Sequence, residues 1–87
     1  MTLSTENVEM TPSQCRAARA LLNMTQPDLA AGADVGLSTV VDFEKSRRNL
    51  PAETIGKLRK ALERAGVEFI PEDAKGVGVR FAAPTTP

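Results

Sequence analysis

The stretch that decides the fold is Thr25-Gln26-Pro27-Asp28-Leu29-Ala30-Ala31-Gly32-Ala33-Asp34-Val35-Gly36-Leu37-Ser38-Thr39-Val40-Val41-Asp42-Phe43-Glu44. Thr25 is a helix N-cap, because its hydroxyl can accept from the orphan amides of a first turn in which Pro27 is tolerated and Asp28 meets the positive end of the dipole. Leu29, Ala30 and Ala33 give that short helix an inward side. Asp34-Val35-Gly36 breaks the pattern, and a second short helix is predicted over about 37–45 with Val40 and Phe43 inward. Two short helices joined by a tight turn form a unit whose second helix can lie in the major groove of DNA.

Outward from this unit, Thr11-Pro12-Ser13-Gln14 carries the elements of a capping box and opens a helix over about 12–23, with Cys15, Ala18, Leu21 and Leu22 at helical spacing. Pro51 opens a fourth helix with an Ile55, Leu58, Leu62 stripe, and Gly66 is its expected left-handed C-cap. Beyond Gly66 the period changes. Val67-Glu68-Phe69-Ile70 and Val77-Gly78-Val79-Arg80-Phe81 flank a Pro/Gly-containing turn and predict a β-hairpin. The predicted organisation is therefore an N-terminal tail (1–10), a four-helix domain (11–66), a hairpin (67–82) and a C-terminal tail (83–87), mainly α with a small β appendage.

Composition limits what such a chain can do. Its 87 residues hold eleven Lys/Arg and eleven Asp/Glu, enough for one small domain that gains from a second subunit. With one cysteine, Cys15, and no histidine, it has no internal disulfide, no Cys/His metal cluster and no His-dependent nucleophilic catalysis. An enzyme is not expected, nor a metal or cofactor. The N-terminus lacks the basic and apolar regions of a signal peptide and no apolar run reaches membrane-spanning length, so a cytoplasmic protein without a membrane partner is expected. Neutrality hides an asymmetry: Lys45, Arg47, Arg48, Lys57, Arg59, Lys60 and Arg64 fall within residues 45–64, accompanied there only by the acids Glu53 and Glu63. A polyanion can be drawn to one face of a protein whose total charge is zero. Gly76-Val77-Gly78-Val79 is not a phosphate loop, since it opens no helix and lacks the following Lys-Ser/Thr.

Gln26, Leu29-Ala30, Val35, Val40 and Phe43-Glu44 together resemble the helix-turn-helix domain of the phage-repressor, Cro and XRE type, over roughly residues 11–66. The resemblance implies a λ-repressor-like four-helix fold and binding to double-stranded DNA. It implies base-edge contacts from Leu37, Ser38 and Asp42, with Thr39 nearby, a backbone contact from Gln26 beside Thr25, and a structural ion pair between Arg19 and Glu44. Lys45, Arg47 and Arg48, just after the reading helix, are expected to meet phosphates. One departure from the family stands out. No Arg, Lys, Asn or Gln occurs between residues 27 and 44, so the usual bidentate readers of guanine and adenine are missing. Two roles fit this pattern: a small homodimeric transcription regulator, such as a repressor of a mobile genetic element, reading a palindromic operator; or a protein-interaction module of the same fold, an antitoxin or antiactivator, with a protein partner. Phe69 and Phe81 are the expected apolar centre of a hairpin-mediated dimer interface.

Overall fold

In the computed structural model, which describes residues 10–73 and 75–83, four helices precede a two-stranded hairpin: α1 (Pro12–Leu22), α2 (Gln26–Ala33), α3 (Leu37–Glu44), α4 (Ala52–Ala65), β1 (Val67–Ile70) and β2 (Gly78–Phe81). The predicted elements are all present, and only terminal residues differ. The expected tails at 1–9 and 84–87 lie outside the described residues. Met10, assigned to the tail from its polar surroundings, is instead buried in the core at 4% exposure.

Side-chain caps explain where α1 and α2 begin. The Thr11 hydroxyl accepts from the Gln14 amide at 3.0 Å while Gln14 Oε1 accepts from the Thr11 amide at 2.9 Å, a reciprocal capping box. Thr25 and Asp28 repeat the arrangement at 3.1 and 3.2 Å. Both helices end at residues that tolerate the left-handed region, Asn23 at φ 55° and Asp34 at φ 60°, because a short polar side chain lowers its cost. Gly66, at φ 123°, ends α4 in a conformation that other residues rarely adopt, and the chain passes directly into β1.

Small residues let the helices approach. Ala18 of α1, Ala30 and Ala33 of α2 and Ala61 of α4 surround Leu29, Val40, Phe43, Leu58 and Leu62, all buried. The strands pair antiparallel, Val67 with Phe81 through Ile70 with Gly78. β1 packs on α4 and β2 on α1, which sends Val67 and Phe69 into the same core. The Arg59 guanidinium lies 5.2 Å from the Phe69 ring centre. Phe69, expected at a dimer interface, is thus a residue of the protomer's own core at 6% exposure, whereas Phe81 is 53% exposed. The difference is positional: Phe69 lies over α4, and Phe81 lies at the open end of the outer strand.

A two-stranded hairpin is marginal alone, and here α1 holds it. Buried Gln14 sends its Nε2 to the carbonyls of Gly78 at 2.8 Å and Ile70 at 3.4 Å. One side chain thereby closes the α1 cap and ties down the turn end of the hairpin. Gln14→Ala is expected to lower unfolding free energy by about 1–3 kcal/mol, the cost of orphaned buried polar groups. Hydrogen exchange should show hairpin amides losing more protection than those of α4.

Candidate nucleic-acid interface

The site begins with a buried carboxylate. Glu44, the last residue of α3, is 2% exposed, and burying it without partners would be prohibitive. Its Oε1 accepts from Arg19 Nη2 at 2.6 Å and Gln26 Nε2 at 3.0 Å, and its Oε2 accepts from Arg19 Nε at 2.7 Å and the Cys15 thiol at 3.1 Å. Arg19 also donates to the Met24 carbonyl at 3.1 Å, and Arg16 Nη1 donates to the Glu44 carbonyl at the open end of α3. The Arg19–Glu44 pair implied by the resemblance is present, bidentate and nearly dry. It locks α1, the α1–α2 connection, α2 and α3 into one relative orientation.

Burial by itself would push the Glu44 carboxyl up, but the hydrogen bonds from Arg19, Cys15 and Gln26 and the Arg19 charge outweigh it and hold the carboxyl below its ordinary value. The Cys15 thiol is pushed far above the usual thiol range, first by burial and then by its bond to Glu44. It therefore serves as a neutral donor. The reading of Cys15 as an apolar core position missed this second role. Its signal was present, since Cys15 lies one turn before Arg19 on the same face of α1. Gln26, expected on a phosphate, has its side-chain amide engaged with Glu44; what remains there for an anion is the Gln26 backbone amide, since Pro27 has none and the capping box takes those of Thr25 and Asp28.

Held this way, α3 presents one face to solvent. Leu37, at 46%, is one of the exposed large hydrophobics, and Ser38 is exposed beside it, while Thr39, Val41 and Asp42 are half-buried. Gly36 precedes the helix without a side-chain cap. After α3 the chain turns at Ser46, φ 57°, which places Arg47 and Arg48 back along the helix. Their guanidinium groups lie 3.8 and 3.9 Å from the Asp42 carboxylate, and Arg48 also donates to the Thr39 hydroxyl at 3.3 Å. Thr39, Asp42, Arg47 and Arg48 are thus joined by side-chain contacts, and Leu37, Ser38 and Lys45 are exposed on the same helix or at its end. Thr25 lies at the neighbouring start of α2, where its hydroxyl caps Asp28. Two basic residues of α4 have structural partners: Arg64 donates to the Gly32 carbonyl at 3.0 Å, and Arg59 pairs with Glu63 at 3.0 Å.

This arrangement of a short positioning helix, a tight turn and an exposed reading helix defines a DNA-binding helix-turn-helix domain. A family model described as helix-turn-helix matches residues 16–69, and the chain belongs to that family, in its XRE-type form. No curated protein matches the chain. Among the described residues, no helix is long and apolar enough to cross a membrane.

Breaking the lock should be costly. Arg19→Ala leaves Glu44 buried without its counter-charge and is expected to cost about 3–5 kcal/mol in urea unfolding. A carboxyl held below its ordinary value contributes stability that is present above the unfolded pKa of about 4.3 and lost as pH falls through the folded value. Unfolding followed by circular dichroism should therefore show an acid limb that is flatter in Glu44→Gln than in wild type.

Proposed function

We propose that the protein is a homodimeric transcription regulator that reads double-stranded DNA with α3 and acts by binding rather than catalysis. The observation that supports this reading is the fixed, solvent-facing α3 with a basic turn at its C-terminal end. Leu37 and Thr39 offer methyl contacts to thymine, Ser38 a donor or acceptor, and Asp42 an acceptor for cytosine N4. Arg47, Arg48 and Lys45 carry phosphate contacts, with Gln26 and Thr25 contributing at the first turn of α2. A reading face of Leu, Ser, Thr and Asp gives one protomer few strong base contacts, so two protomers act together on a palindromic operator, with half-sites about 34–36 Å apart or a multiple of that spacing.

A second reading draws on the apolar character of the same face. Exposed Leu37 and half-buried Val41, with no bidentate base reader on α3, suit the surface of a partner protein, which would make the chain an antitoxin or antiactivator of the same fold. Titrating labelled random and genomic DNA at two salt concentrations separates the two. Binding that weakens steeply with salt and favours particular genomic fragments supports the regulator; salt-independent absence of binding supports the protein-interaction module.

Under the first reading, Arg47→Ala should weaken binding to all sequences and make the salt slope shallower by about one unit. Ser38→Ala should instead change discrimination between operator variants by about 1–3 kcal/mol, leaving the salt slope unchanged. Fluorescence anisotropy measures both, and an unchanged slope in Arg47→Ala would remove that residue from the phosphate set.

A further inference from the structure

The hairpin ends in an open edge whose pattern is self-complementary. The Ala82 amide donates to the Gly66 carbonyl at 2.9 Å, and this bond sets the phase of the ladder. Glu68 with Arg80, and Ile70 with Gly78, are then the pairs that exchange backbone bonds, so the N–H and C=O groups of Val79 and Phe81 point away from β1. Among the described residues the sheet has two strands only. Phe81, the last residue of β2, and Val77, one residue before its start, are exposed at 53% and 40%, two residues after and before Val79. Val79 and Phe81 share the face on which Val67 and Phe69 enter the core, since they are their pairing partners.

We propose that the outer edge of β2 pairs antiparallel with β2 of a second copy, across a two-fold axis at Val79, to form one four-stranded sheet; this rests on the homodimer reading above and specifies its interface. Two-fold pairing about Val79, continued one residue before β2, sets Val77 of each chain against Phe81 of the other, which covers both exposed apolar side chains. Charge and apolar cover distinguish this register from axes at Arg80 and at Phe81. An axis at Arg80 would place two arginines directly opposite each other, a destabilising arrangement, and an axis at Phe81 would leave both Val77 side chains uncovered. With the axis at Val79, Arg80 faces Gly78 of the second copy, which has no side chain to obstruct it, and each Arg80 keeps its own pairing with Glu68 at 3.0 Å. The outer face of the joined sheet therefore brings no net charge against itself. An unpaired strand edge is a template for another chain, and here its best complement is its own sequence.

The test uses the full-length chain. Val77→Cys and Phe81→Cys proteins are oxidised under mild conditions, separately and after mixing, with wild type as the control for buried Cys15. The expected result is a disulfide-linked dimer in the mixture and in neither protein alone, because only the heterologous pair is adjacent in this register. Sedimentation velocity should also show wild type as a dimer at tens of micromolar and Phe81→Asp with a dimer dissociation constant raised about tenfold or more, at unchanged circular dichroism. A wild-type dimer whose Arg80→Cys variant links to itself, while the mixture does not link, overturns this register and leaves the homodimer standing. A wild-type monomer at that concentration overturns both, whatever the DNA titration shows.

Discussion

Everything that positions α3 depends on the neutralisation of Glu44. A carboxylate at 2% exposure has lost its water, and the protein replaces that water with four donors, two on each oxygen. The planar fork of Arg19 matches the carboxylate bidentately, which a lysine cannot do. Because the donors come from α1 and α2 and the acceptor from α3, the geometry is satisfied in one relative placement of the three helices. Apolar packing among Ala18, Ala30, Val40 and Phe43 favours burial, but hydrophobic contact is non-directional. The buried ionic cluster supplies the direction.

That division of labour leaves the solvent face of α3 free to vary. Its inner side is committed to the core through Val40 and Phe43 and to the ion pair through Glu44, so chemistry toward a partner is confined to Leu37, Ser38, Thr39, Val41 and Asp42 and to the turn that follows. There the positive charge is partly held in place by the protein itself, since Asp42 sits between Arg47 and Arg48. A phosphate approaching this surface competes with Asp42 for the same guanidinium groups. Under the proposed regulator reading, sequence preference and backbone affinity would be coupled through this one carboxylate, an acceptor toward a base and a counter-ion to the neighbouring cations.

The hairpin is joined to this scaffold by polar as well as apolar contacts. Val67 and Phe69 extend the core, and Gln14 reaches two strand carbonyls while still closing the cap of α1. Since α1 also carries Arg16 and Arg19, a single helix touches both the reading unit and the hairpin. An assembly formed through β2 would thus relate the two α3 helices through α1 and the hairpin.

The sequence by itself determined the elements and their order. Capping residues such as Thr11 and Thr25, breakers such as Asp34-Val35-Gly36 and Gly66, and the change of period beyond residue 66 act locally, through backbone amides and φ preferences that need no distant partner. The Arg19–Glu44 pair was legible only through family resemblance, because nothing in spacing alone joins residues 25 positions apart. Only the tertiary structure decided the rest: that Cys15 and Gln26 complete the Glu44 cluster, that Met10 and Phe69 belong to the core, that Gln14 holds the hairpin, and that Asp42 stands between two arginines. Each of these depends on which long-range neighbours a side chain meets once helices and strands have packed. Burial, which sets the cost of leaving a polar group unpaired, does not exist until they have.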